Sequence, residues 1–114
     1  MTRKRMLSVA ALAALALAAP AATPAAPAGT FTVQASDFRF KGIPLRTTAG
    51  THVFKVRNTG RATHDFKIAG KRTKLLRSGQ TQTLRVTLRK GKYAYICTVE
   101  GHAALGMKGV LHVR

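Results

Sequence analysis

The chain of 114 residues has one cysteine, Cys97, no tryptophan, and three carboxylates: Asp37, Asp65 and Glu100. A lone cysteine excludes an intramolecular disulfide, the usual staple of a small exported domain. With so few acids, no carboxylate stands where it would orient an imidazole, which argues against a Cys–His hydrolase. No apolar run reaches the roughly 20 residues of a bilayer span. The longest, Met6–Ala19, has 14 residues and is followed by Pro20, Pro24 and Pro27. Those prolines, with nothing to pack beside it, exclude a buried Ala-rich helix there.

What the N-terminus does have is Arg3, Lys4 and Arg5, then the apolar run, then an Ala/Pro/Thr tract with the triplets Ala19-Pro20-Ala21 and Ala26-Pro27-Ala28. This order is that of a cleaved secretory signal. Residues 1–28 are therefore expected to be a leader and residues 29–114 one exported domain, periplasmic or otherwise outside the cytoplasm. No Cys lies near position 20, which counts against a lipoprotein. Without Arg3, Lys4 and Arg5, 17 basic residues face three acidic ones, a net charge of +14 with His neutral. Such a field speeds encounter with anionic partners. Nucleic acid is disfavoured by export and by the few, uninterleaved aromatics. The expected partners are acidic redox proteins, with peripheral contact on an anionic membrane as a further expectation.

Residues 29–114 read as short strands with period-two alternation between Gly, Asn and Lys punctuation. Phe31 and Val33 mark the first and Val53–Asn58 the second. His64–Ala69 follows, with Phe66 and Ile68 on the face of His64. In Gln80–Arg89, Leu84, Val86 and Leu88 oppose Arg85, Thr87 and Arg89. After the turn Lys90-Gly91-Lys92 come Tyr93–Cys97 and, last, Val110–Val113. No segment holds a helical period over three turns, so the pattern predicts an all-β sandwich.

The chemistry concentrates in Cys97–Met107, where a thiolate, an imidazole (His102) and a thioether lie within eleven residues. Gly101 and Gly106 allow that loop to fold back on itself. A second imidazole is offered by His64, at the start of a strand and after the Gly60 turn. His52 shares parity with Phe54 and Val56 and is expected to be structural. His112 alternates with Leu111 and Val113 and is expected to face solvent. Two imidazoles, a thiolate and a weak axial thioether form the blue-copper ligand set. Zinc takes Cys and His equally well, but thioether is a poor zinc ligand, so Met107 discriminates.

The pattern Cys97-x4-His102-x4-Met107, preceded by Tyr93-x-Tyr95-x-Cys97 and closed by Gly106-Met107-Lys108-Gly109, resembles the C-terminal loop of cupredoxins of the azurin, auracyanin and halocyanin kind. Phe54-Lys-Val56-Arg-Asn58-Thr-Gly60 and Thr63-His64-Asp65-Phe66 resemble the family's approach to its first His ligand. The resemblance runs from about Phe31 to the end. It implies a Greek-key sandwich of about seven or eight strands, one type 1 copper held by His64, Cys97, His102 and Met107, and one-electron shuttling without enzymatic turnover, in a monomer. Asn58, Asp65 and Thr98 are the implied hydrogen-bonding neighbours of the ligands. Asp65 stands where many members carry Asn, and a carboxylate there would lower the copper potential. A partner would dock at the His102 edge, beside Ala103, Ala104 and Leu105. The rival from another class is a copper-trafficking protein on the same fold. Such sites expose several Met or His residues, whereas here Met107 is the single Met after residue 28.

Overall fold

A computed structural model describes residues 26–114. The leader expected at 1–28 lies almost wholly outside the described residues. Nine strands follow: β1 (Gly29–Ser36), β2 (Arg39–Lys41), β3 (Arg46–Thr47), β4 (Gly50–Asn58), β5 (Lys67–Ile68), β6 (Lys71–Arg72), β7 (Thr81–Leu88), β8 (Gly91–Ile96) and β9 (Lys108–Val113). They form two sheets, ordered β2-β1-β4-β7 and β3-β9-β8-β5-β6, with no helix among the described residues. This is the all-β Greek-key sandwich that the alternation and the resemblance predict. Three of the nine strands have only two residues.

The inner faces follow the period-two pattern. In β7, Leu84, Val86 and Leu88 are buried while Arg85 and Thr87 are exposed. In β4, Phe54 and Val56 are fully buried and Lys55 and Arg57 are exposed. The two layers meet in an aromatic run across the core, with ring centroids 5.4 Å apart for Phe31–Phe54 and 5.3 Å for Phe54–Phe66. Phe40 closes on Phe66 edge-on at 5.3 Å. Offset and tilted pairs at such spacings suit the ring quadrupoles.

Two features depart from the pattern read along the chain. The strand expected over His64–Ala69 shrinks to Lys67–Ile68, with His64 held by an isolated antiparallel bridge to Leu76. His64 is tied to Leu76, and Asp65 turns to accept from the Thr98 amide, so the regular ladder with β8 begins only at Lys67. β1 lies parallel to β4, and β3 parallel to β9. Parallel partners need long crossovers rather than hairpins, so local turn signals do not reveal them.

This topology gathers the site. β8 ends at Ile96 and β9 begins at Lys108, so the intervening loop caps one end of that hairpin. β5 pairs with the same end of β8 through Lys67 and Ile96, which carries the His64 segment there. Phe54→Ala should lower unfolding free energy by about 3–5 kcal/mol, the usual cost of emptying a buried aromatic site. Denaturant-induced unfolding followed by tyrosine fluorescence checks this.

Candidate metal centre

The loop from Cys97 to Met107 is built by its backbone. The Cys97 amide donates to the Met107 carbonyl at 3.0 Å, extending the β8–β9 ladder by one rung. Inside it, the His102 amide donates to the Val99 carbonyl, and the Leu105 and Met107 amides to the His102 carbonyl, each at 3.1 Å. The chain reverses at Gly101 (φ 81°) and Gly106 (φ 121°), left-handed positions that side chains resist. His64 is held from the other side by paired backbone bonds with Leu76, at 3.0 and 2.7 Å. Buried Asn58 braces the approach, donating through Nδ2 to the carbonyls of Ala62 and Leu76, both at 2.8 Å, and accepting from the Gly60 amide.

The result brings His64, Cys97 and His102 together, with one donor atom of each lying within 4.8 Å of the others. The two histidines face each other through Nδ1, at 3.2 Å, and Cys97 Sγ lies 3.7 Å from His102 Nδ1. Two ligand atoms about 2.0–2.3 Å from one ion sit about 3.4–3.8 Å apart at trigonal to tetrahedral angles. The two spacings made by His102 match that requirement to within a few tenths of an ångström. His64 and Cys97 are buried and His102 is half-buried. Met107 is wholly buried, its backbone tied to both Cys97 and His102. A soft thiolate with two imidazoles suits copper.

A residue that the pattern along the chain did not single out completes the arrangement. Asp37, in the β1–β2 turn, places Oδ1 2.6 Å from His64 Nε2. The Arg61 and Ala62 amides donate to the same carboxylate at 3.0 and 3.2 Å. The Arg61 amide first, then His64, hold the Asp37 carboxyl below its ordinary pKa. An ionised carboxylate only accepts, so His64 Nε2 carries the proton and Nδ1 keeps its lone pair for the metal. A carboxylate behind a ligating imidazole fixes its tautomer and raises its basicity. Asp37 is one of only three carboxylates in the chain, which was the one signal of it available in sequence.

A second carboxylate steadies the thiolate side. The Thr98 amide donates to Asp65 Oδ1 at 2.6 Å and the Thr98 hydroxyl to Asp65 Oδ2. Asp65 thus joins the His64 segment to the residue after Cys97. Burial pushes the Cys97 thiol above its ordinary range, only partly offset by neighbouring amides. His52 is buried, stacked on Phe31 at 5.5 Å and bonded through Nε2 to the Thr48 carbonyl, away from the donors. His112 stands half-buried on β9, also outside the group. Phe38 covers the open side, its ring 4.8 Å from that of His102 and 6.0 Å from that of His64.

A family profile for the cupredoxin-like domain matches residues 7–113. The chain belongs to the cupredoxin-like family. Among solved structures, this cupredoxin is similar to auracyanin from Roseiflexus castenholzii, at 20% identity and TM-score 0.65, over 79% of this chain and 99% of that one. Auracyanin B matches at 21% identity and TM-score 0.67, over 81% of this chain and 93% of that one. A multicopper oxidase from Campylobacter jejuni matches at 20% identity and TM-score 0.65, over 82% of this chain but 31% of that one. No curated protein matches the chain. At these identities the structural likenesses establish the shared fold.

Asp37→Ala should weaken metal affinity about 10–100-fold, the usual effect of removing a ligand's hydrogen-bond partner, as read by competition with a chelator. In the metal-free protein, a raised thiol pKa leaves Cys97 protonated at neutral pH. Its alkylation should then be slow at pH 7 and accelerate only above the pH at which an ordinary cysteine ionises. Rates of iodoacetamide modification across pH check this.

Proposed function

We propose that this cupredoxin is an exported one-electron carrier in which His64, Cys97, His102 and Met107 hold a single copper ion. The observation that carries the reading is the convergence of two imidazole Nδ1 atoms and one buried thiol sulfur, from two separate segments, at ligand spacing. Support comes from Auracyanin A of Chloroflexus aurantiacus, a solved structure of the same fold (21% identity, TM-score 0.60) described as a "blue" copper protein. Copper supplies a Cu(II)/Cu(I) couple when bound.

The protein's own part is to hold the donors still and keep water away. Cys97 and Met107 are shut off from solvent by the sandwich end. His64 is fixed by Asp37 and the Leu76 bridge, and Cys97 is tied through Thr98 to Asp65. A preorganised donor set changes little between charge states, which keeps the cost of electron transfer low. The edge of His102 lies among Phe38, 36% exposed, and Leu105, 63% exposed, an apolar rim on which a redox protein can dock. Met107, buried at the end of the same loop, would be the fourth ligand, and the leader at residues 1–28 would be removed on export.

The oxidase reading is weaker because the described residues gather one His64–Cys97–His102 group and no second group beside it. Copper trafficking is disfavoured by the burial of Cys97, since delivery needs an accessible donor. The test is a visible absorption titration with Cu(II) on the wild type and on Cys97→Ser. An intense thiolate-to-copper band in the first, absent from the second, is the expected result. A colourless, weakly bound copper in the wild type would sink the electron-carrier reading.

A further inference from the structure

Far from the metal end, the strand register produces an unusual row of charge. Arg46 on β3 pairs with His112 on β9, and His112 pairs with Lys92 on β8. Three basic-type side chains therefore stand side by side across three adjacent strands. With Lys90 and Arg114 they line a concavity of about 530 Å³ that contains no aspartate or glutamate. Arg46 and Lys92 flank His112 with no acidic side chain between them. On the other sheet the same residue types are spaced apart: Lys55 lies between Thr32 and Thr83, and Arg57 between Gln34 and Thr81. Lys67 and Arg72 are also opposed, but on an edge hairpin of two-residue strands.

The acidic residues cannot compensate the row. Asp37 and Asp65 are committed to His64 and Thr98, and Glu100 lies in the metal loop. Even with the terminal carboxylate of Arg114 counted, this end is strongly cationic.

The same outer sheet face continues from the charged row into an apolar strip. By register, the pair after Lys92–His112 on that face is Ala94–Val110, followed by Ile96–Lys108. Val110 is 42% exposed, and these residues line a second shallow cavity. Leu45, next to Arg46, is 76% exposed. Cations beside exposed aliphatic side chains are the composition that seats protein on a phospholipid surface, heads on phosphate and apolar groups at the acyl boundary. The chain also enters the domain at this end: Ala28 bonds to Thr51, and Ala49 to Arg114.

We propose that the outer face of the β3–β9–β8 sheet docks on anionic phospholipid, through Arg46, Lys90, Lys92 and the Ala94–Val110 strip. Charge complementarity selects the anionic lipid, and the apolar strip selects a bilayer over a soluble polyanion. The His102 rim, at the other end of the same hairpin, stays open to a redox partner. The proposal is independent of which metal the site holds.

The test is co-sedimentation of the full chain with phosphatidylcholine vesicles, with and without phosphatidylglycerol. Residues 1–25 are the same in every variant, so a difference between the variants arises from the substituted face. The variant Arg46→Gln/Lys90→Gln/Lys92→Gln removes three charges from the face. The control Lys55→Gln/Arg57→Gln/Arg85→Gln removes three from the other sheet. At about fivefold per surface cation, the first should bind anionic vesicles roughly 100-fold more weakly than wild type, and the control should change less than about fivefold. Thermal melts of both confirm that they fold. Equal losses in the two variants would overturn the proposal in favour of net charge alone. It would also fall if wild type showed no preference for phosphatidylglycerol. Pyrophosphate binding lost with the first variant while vesicle binding persists, or a solution dimer abolished by it with vesicle binding unchanged, would overturn it too.

Discussion

The bond from the Cys97 amide to the Met107 carbonyl closes the metal loop, and most of the site depends on it. It is the last rung of the β8–β9 ladder, so the alignment of a whole hairpin stands behind one loop. A slip of one residue in that ladder would turn the inward side chains of β9 to the outer face relative to β8. Leu111 and Val113 would leave the core, and the ends of the loop would no longer be opposed. The burial of those side chains is thus what holds Cys97, His102 and the Met107 backbone in common register.

His64 arrives by a separate route and needs separate restraint. Its bridge to Leu76, the Asn58 bonds and the Asp37 carboxylate each constrain a different part of it: backbone, approach and imidazole. Asp65 then binds this segment to Thr98, so the two halves of the donor set move as one body. Buried Asp65 and exposed Asp37 both serve the metal end. A consequence is that the opposite end is left with cations and nothing to neutralise them.

Much of the architecture was legible along the chain. The alternation along β7 and over Phe54–Asn58 of β4 has a direct physical cause, one face in the core and one in water. The candidate loop was legible because a thiol, an imidazole and a thioether lie within eleven residues, with glycine where the backbone must reverse. The His64 strand was over-read: a run of hydrophobic parity was visible, but not that Asp65 would also turn inward toward Thr98.

The sequence by itself determined the all-β class, the loop that carries Cys97, His102 and Met107, and the choice of His64 over His52, since each rests on local spacing and period. Only the tertiary structure decided the parallel pairing of β1 with β4, the placing of Asp37 behind His64, and the alignment of Arg46, His112 and Lys92 across three strands. These are contacts between segments far apart in the chain. Their partners are chosen by how the two sheets close around one core, and no local pattern encodes that choice.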